Sequence, residues 1–369
     1  MGQFDCILPW NHVRVWQTGK AWPCCQWVGE TPDDLNIFNG DPMHHPLMVE
    51  TRQRMLEDKP VKGCSRCYRL ERETGRSMRT DINTGSFGGI DSDVSKMAPI
   101  SADSESKLRY LELSISNACN NSCRMCGPEL STHWYKDAKA LGIDIPKGIQ
   151  YNPLNTTDLS ELRFLKLLGG EPLLHDKEIN NILDRCDLEN LNLMLITNTT
   201  VRPTQETIDR FKRLNKLTIT LSIDAFGPLN DFLRTGSKWE QVKANLHWFS
   251  QQDWCRITVH GVITAYNVNC FMQLYEYCRD VVDVYSNYMV IEGPEYMRPR
   301  HLPEGVKQYL LERYEAYPLK PPFMKDTIYE LKQPGDWETF ETMDQLMNGV
   351  RNENFRTFNP ELDNLLNTC

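Results

Sequence analysis

Three cysteines stand within eight residues, "CNNSCRMC" at 119 to 126, with C-x3-C-x2-C spacing. Thiolates bind soft and borderline metals, and a closed structural zinc site takes four ligands. Cys119, Cys123 and Cys126 have no fourth cysteine beside them. Three cysteines on a four-iron cluster leave one iron open to a substrate, whereas a four-cysteine cluster commonly stores or passes electrons. The spacing is short enough for all three sulfurs to converge from one loop. A second group lies upstream: Cys6 and Cys24 frame Gly19 as C-x12-G-x4-C, and Cys64 and Cys67 form C-x2-C in "KGCSRCYRLE". Four thiols there close every position of a metal centre, and both tetrahedral zinc and an iron-sulfur cluster suit the pattern. Cys25 is the spare beside Cys24, and the sequence leaves open which of the two ligates.

The elements that must carry these loops follow from hydrophobic periodicity. "NHVRVWQTGKAWPCCQWVG" reads as a hairpin turning at "TGK", and "HPLMVETRQRMLED" as a helix. Residues 83–105 are rich in Gly, Ser and Asp and read as a surface linker. Beyond it, strand-like runs at 108–116, 162–168, 191–197, 216–224, 255–265 and 282–291 alternate with helix-like runs at 128–142, 176–186, 205–214, 239–250 and 271–280. Such alternation implies βα units with parallel strands. Six of them make an open or partial barrel, followed from about 293 by helices and loops.

Parallel strands with helical crossovers place ligand sites at their carboxyl ends. The cysteine loop follows the first strand. "GGEP" (169–172), "TNT" (197–199), "SID" (222–224), "AYN" (265–267) and "EGPE" (292–295) end the next five. All the unusual residues therefore fall on one rim. Gly169 and Gly170 permit close backbone approach and Pro172 fixes the turn. Ser222 and Asp224 offer short polar groups suited to ribose hydroxyls. Arg234, in "FLRTGS", matches a carboxylate in a fork.

In combination, "CNNSCRMC", "GGEP" and "SID" resemble the radical S-adenosylmethionine superfamily over about 110–295. The resemblance implies a four-iron cluster on Cys119, Cys123 and Cys126 whose open iron is chelated by the amino and carboxylate groups of S-adenosylmethionine. The reduced cluster passes one electron to the sulfonium, and the resulting 5'-deoxyadenosyl radical takes a hydrogen atom from a substrate. The same resemblance brings Gly169, Gly170, Glu171 and Pro172 to the amino group of S-adenosylmethionine. It brings Ser222 and Asp224 to the ribose, Arg234 to the carboxylate, and Asn198 into the same cofactor site. Members commonly carry an aromatic residue before the third cysteine, near the adenine; here that residue is Met125. The upstream cysteines resemble the auxiliary-cluster module called twitch, of the SPASM/twitch branch, placed before the barrel. They imply a second four-iron cluster on Cys6, Cys24, Cys64 and Cys67, with a zinc ribbon as the rival.

The expected architecture is thus α/β: a twitch-like module at 1–82, a linker at 83–105, a partial (β/α)6 barrel at 106–292 and a helical extension at 293–369. By resemblance, members of that branch often act on peptides and proteins, so a peptidyl residue is the first expectation for the substrate. Radical dehydrogenation or epimerisation of a small molecule is the second. A catalytically silent zinc or iron-sulfur protein is the third. A reductant such as flavodoxin or ferredoxin is implied.

Composition sets the bounds. The chain has 369 residues, 40% hydrophobic and 25% charged, enough for a sizeable core. No run approaches the length of a membrane span and the N-terminus lacks a signal-peptide pattern, so a cytoplasmic location is expected. There, thirteen cysteines would meet a reducing environment that favours metal binding over disulfides. A net charge of -9 offers no basic patch for generic nucleic-acid binding. Cys186, Cys255, Cys270 and Cys278 read as core residues, His44 and His45 as a loop and helix start, and Cys369 as a frayed end.

Overall fold

The computed structural model describes residues 2–85, 106–146, 154, 157–282 and 287–368. Most of the expected linker, and Cys369, lie outside the described residues. One sheet organises the molecule. Its strands are β1 (His12–Val15), β2 (Ala21–Trp22), β3 (Tyr110–Ser114), β4 (Phe164–Leu168), β5 (Asn192–Thr197), β6 (Lys216–Ser222), β7 (Arg256–Ile263) and β8 (Asn287–Val290). Their order is β2-β1-β3-β4-β5-β6-β7-β8. β1 and β2 are antiparallel, and every other neighbouring pair is parallel. The six strands expected for the barrel are β3 to β8. The hairpin adds two more to the same sheet, because β1 pairs with β3 in the register His12 to Tyr110 and Val15 to Leu113.

Alternation along each strand separates two faces. Leu111, Leu113, Leu165, Leu167, Leu193, Leu195, Ile219, Leu221 and Val259 are buried in the apolar layer beneath the crossover helices. Each such side chain contributes roughly 1.5–3 kcal/mol. The other face carries the row Arg14, Glu112, Lys166, Met194, Thr218 and Arg256, which are register partners across six strands. A charged row cannot lie under helices at that cost, so this is the concave, lumen-facing side.

Helix ends follow local chemistry. Gly142, expected to close its helix, caps Tyr135–Leu141 in the left-handed conformation at φ 69°. His45 accepts from Leu47 N at the start of Pro46–Leu56, and His44 pairs with Asp41 at 2.9 Å, so both histidines serve a loop and a helix start. A helix at Gly227–Leu233, absent from the periodicity reading, carries Pro228 in its first turn. After β8 come helices at Glu304–Ala316, Phe323–Leu331, Trp337–Arg351, Phe355–Phe358 and Pro360–Thr368. They reach the barrel through aromatic contacts, with Tyr266 packed 4.9 Å from Phe340 and 5.7 Å from Phe355. Among the described residues no helix is long and apolar enough to cross a membrane.

Candidate active site

The cysteine loop leaves the carboxyl end of β3 and is laced to its neighbours by backbone. Ser122 N donates to Thr235 O at 2.7 Å, and Arg124 N to Leu233 O at 2.8 Å. Gly170 N and Glu171 N donate to Ser116 O and Ala118 O at 2.7 and 2.9 Å. The last pair explains "GGEP". A Cβ on Gly170 would lie 2.2 Å from Ala118 O, and one on Gly169, at φ 130°, 2.6 Å from Ser116 O. The close approach these glycines permit is therefore to the backbone entering the cysteine loop. Pro172 opens a short 3-10 turn capped by Glu171, whose side chain accepts from Leu173 N at 3.0 Å.

Glu171 is wholly buried and also accepts from Thr197 Oγ1 at 2.8 Å and Asn198 N at 2.6 Å. It thus ties the end of β4 to the end of β5. Burial pushes it up to about 7 from an ordinary 4.5, against the pull of those three donors. Asn198 carries the tie to the thiols: its Nδ2 lies 2.7 Å from Asn120 Oδ1 and 3.8 Å from Cys119 Sγ. From the far side Arg234 places Nη1 4.0 Å from Cys123 Sγ and Nε 2.7 Å from Asp224 Oδ2. That 2.7 Å contact is off the hydrogen-bond direction, so it is an ion pair only. Asp224 Oδ1 accepts from Val262 N at 2.8 Å. Sequence reading gave Asp224 and Arg234 separate ligand contacts; in the structure they pair with each other. Ser222 ends β6 buried beside them, and Met125 is half-buried against the core.

Burial pushes the Cys119 and Cys126 thiols up to about 12 and raises Cys123 as well, against the nearby Arg234 cation. All three are protonated near neutrality without metal, so metal loading displaces their protons. Cys123 raises both Cys119 and Cys126, and Cys119 raises Cys126, which marks them as neighbours.

The upstream thiols gather at the opposite end of the barrel. Cys6 precedes the helix Leu8–Asn11 that feeds the start of β1, and Cys24 follows β2 as it returns to the same end. Cys6, Cys24 and Cys64 share an apolar cluster with Tyr110 and Phe164, the first residues of β3 and β4. Cys64 and Cys67 raise Cys6, and Cys6 and Cys64 raise Cys24. Cys25 Sγ lies 3.5 Å from Met78 Sδ. Cys24 packs with Cys6 and Cys64 in that apolar cluster, and Cys25, its nearest electrostatic neighbour, does not. Among the described residues no three His, Cys, Asp or Glu side chains close on a single-ion position. The two groupings rest on mutual electrostatics and shared surroundings.

Several residues around the thiols carry no motif. Trp134 Nε1 donates to Cys123 O at 2.7 Å. Gly236, at φ 105°, packs so that a Cβ would stand 2.6 Å from Asn120 O. Arg124, inside the cysteine loop, is fully buried and bonds Asn348 at 2.9 Å and Glu353 at 2.7 Å in the C-terminal extension. Arg351 bonds Thr235 at 2.9 Å through Nη1 and Asp137 at 3.0 Å through Nε. At the other end burial raises the Cys6, Cys64 and Cys67 thiols, and Arg79, also buried, opposes that rise. Only Gly236, in "RTGS", left a readable signal.

Residues 113–278 match the family model described as Radical SAM superfamily. A domain of that superfamily implies a four-iron cluster and S-adenosylmethionine, and three thiols converging from one loop fit such a cluster. No curated protein matches the chain. Among solved structures it is similar to Streptococcus suis SuiB bound to S-adenosylmethionine, at 17% identity and TM-score 0.34 over 54% of this chain and 42% of that one. It is also similar to native anSMEcpe with bound AdoMet and Cp18Cys peptide, at 15% identity and TM-score 0.35 over 55% and 57%. TYW1 with a lysine-pyruvate adduct follows, at 15% and 0.30 over 53% and 68%. The chain thus spans less than half the length of SuiB.

Proposed function

We propose that this chain is a radical S-adenosylmethionine enzyme with two iron-sulfur centres, acting on a residue of a peptide or protein. When bound, the cluster on Cys119, Cys123 and Cys126 supplies the electron that cleaves S-adenosylmethionine to a 5'-deoxyadenosyl radical. The observation that carries the reading is the convergence of Asn198 on Cys119 and of Arg234, paired with Asp224, on Cys123, at the carboxyl ends of parallel strands. Arg234 supplies a cation beside a centre whose thiolates are anionic. Glu171 holds the neighbouring strand ends, and the Gly169–Gly170 turn holds the loop backbone.

Cys6, Cys24, Cys64 and Cys67 close a second centre at the base of the barrel, with Arg79 balancing its charge. The lumen between the two centres is the space for the substrate. A reductant protein such as flavodoxin or ferredoxin delivers the electron. The SPASM/twitch branch is supported by the pairing of a three-cysteine rim loop with a four-cysteine hairpin and helix.

The test is 5'-deoxyadenosine formation by anaerobically reconstituted protein with S-adenosylmethionine and dithionite. Product is expected from the native chain and not from the variant with Cys119, Cys123 and Cys126 changed to Ala, which retains about half the iron. Loss of all iron from that variant contradicts two centres. Absence of product from folded, iron-loaded protein supplied with candidate peptides contradicts the enzyme reading.

A further inference from the structure

Four buried polar atoms without a hydrogen-bond partner lie together on the concave side of β1 and β3. They are Nε2 of His12, Nε of Arg14, Oε2 of Glu112 and Oγ of Ser114. Arg14 is the register partner of Glu112, His12 sits one step below on the same face, and Ser114 one step above. His12, Glu112 and Ser114 are 0%, 3% and 1% exposed. Each buried polar atom left unpaired costs roughly 1–3 kcal/mol. Four in one place point to something that pairs with them.

The chemistry of the four atoms is mixed. Arg14 Nε stands 3.6 Å from Glu112 Oε1, and Lys166 Nζ 3.8 Å from Glu112 Oε2. Those distances neutralise charge without making a hydrogen bond. His12 Nδ1 lies 2.9 Å from Pro23 O. A carbonyl only accepts, so Nδ1 carries the proton and Nε2 is left as an acceptor. The spot therefore offers two acceptors, His12 Nε2 and Glu112 Oε2, beside a cationic donor and a hydroxyl. It lies in the lumen between the two ends of the barrel: His12 opens β1 at the base, and Ser114 precedes Cys119 of the rim loop by five residues.

We propose that this spot binds an amide group of the substrate, its carbonyl toward Arg14 and Ser114 and its N–H toward Glu112 and His12. A carboxylate brings no donor, so beside Arg14 and Lys166 it still leaves the acceptors His12 Nε2 and Glu112 Oε2 unpaired. An ammonium brings no acceptor and is repelled by Arg14. An amide carries both functions side by side, with two acceptor lone pairs on oxygen and one or two N–H donors, and adds no charge. The inference rests on the proposed enzyme reading and narrows its substrate to one that presents a side-chain carboxamide or a main-chain amide to the base of the lumen.

The test titrates acetamide, N-methylacetamide and acetate into the anaerobically purified full chain and reads binding heat and thermal midpoint. The native chain gains about 2 °C near saturation with amide and nothing with acetate. A gain with acetamide alone assigns a side-chain carboxamide, and a gain with both assigns a main-chain amide. Glu112→Gln weakens amide binding roughly tenfold. Ser114→Ala, which removes an unpaired hydroxyl, weakens it too but leaves the unliganded midpoint within about 1 °C of native or above it. An equal response to acetate, or no response to either amide, overturns the proposal; if Ser114→Ala then lowers the midpoint, ordered water satisfies the four atoms instead. Binding is read without S-adenosylmethionine. Amide binding without 5'-deoxyadenosine formation therefore counts against the enzyme reading alone, and the reverse result against this inference alone.

Discussion

At the scale of single residues, Glu171 is a carboxylate used as a strand tie. Three donors point at it, and burial still holds it near 7. Its folded value lies above the unfolded one, so its contribution is fully present below pH 4.5 and is lost as pH rises through 7. The loss amounts to about 3 kcal/mol in all. Glu171→Gln turns one acceptor oxygen into an N–H2 facing a donor, which costs about 1–3 kcal/mol. Denaturant titrations at pH 5 and pH 8 should show the variant well below native at pH 5 and the gap narrowed at pH 8. A gap that widens with pH would show that Glu171 is ionised throughout. Cys24 and Cys25 make a second contrast, since one thiol packs with Cys6 and Cys64 and its neighbour lies against Met78. Cys24→Ser should lose about half the iron of the reconstituted protein and Cys25→Ser none. Iron analysis with the two results exchanged would reassign the ligand.

At the scale of elements, the helix Trp337–Arg351 and the turn after it act as an outer brace for the cysteine loop. Arg124 reaches Asn348 and Glu353 while its guanidinium stacks 3.7 Å over Phe232. The partners are unequal: the Arg124 side chain is 0% exposed and that of Glu353 19%. Glu353→Ala leaves a buried cation with no route to water and should cost about 3–5 kcal/mol. Arg124→Met fills the volume and frees a carboxylate that can turn outward, for about 1–3 kcal/mol. Equal losses in calorimetry would show that packing, not charge, dominates the brace. None of this was readable beforehand, because the pair joins residues 229 positions apart and neither belongs to a pattern. Rim segments were legible for the opposite reason: "GGEP" and "SID" each end an apolar run, and period-two alternation locates such runs without tertiary information. The helix Gly227–Leu233 was hidden because Gly and Pro commonly break helices, whereas Pro228, in the first turn, is tolerated at a helix start.

At the scale of the whole molecule, the sequence divides at the Gly- and Ser-rich stretch, whereas the sheet does not. β1 and β2 continue the barrel's hydrogen-bond ladder, and the upstream thiols share their apolar surroundings with the first residues of β3 and β4. A chain beginning at residue 106 would expose the edge of β3 and the cluster face of Tyr110 and Phe164. It should aggregate rather than fold, as followed by size-exclusion chromatography. A soluble, cooperatively melting truncation would make the hairpin an accessory. Composition could not reveal this, since a linker of any length can join elements that pair side by side.

The pairing of β1 with β3 also orders events during synthesis. His12 and Tyr110 are register partners, and at about 5–20 residues per second the intervening chain takes on the order of 5–20 s to emerge. For that interval the nascent hairpin carries an open edge, and before it closes all four upstream thiols have left the ribosome. Metal captured there first would fix the hairpin before its partner strand arrives.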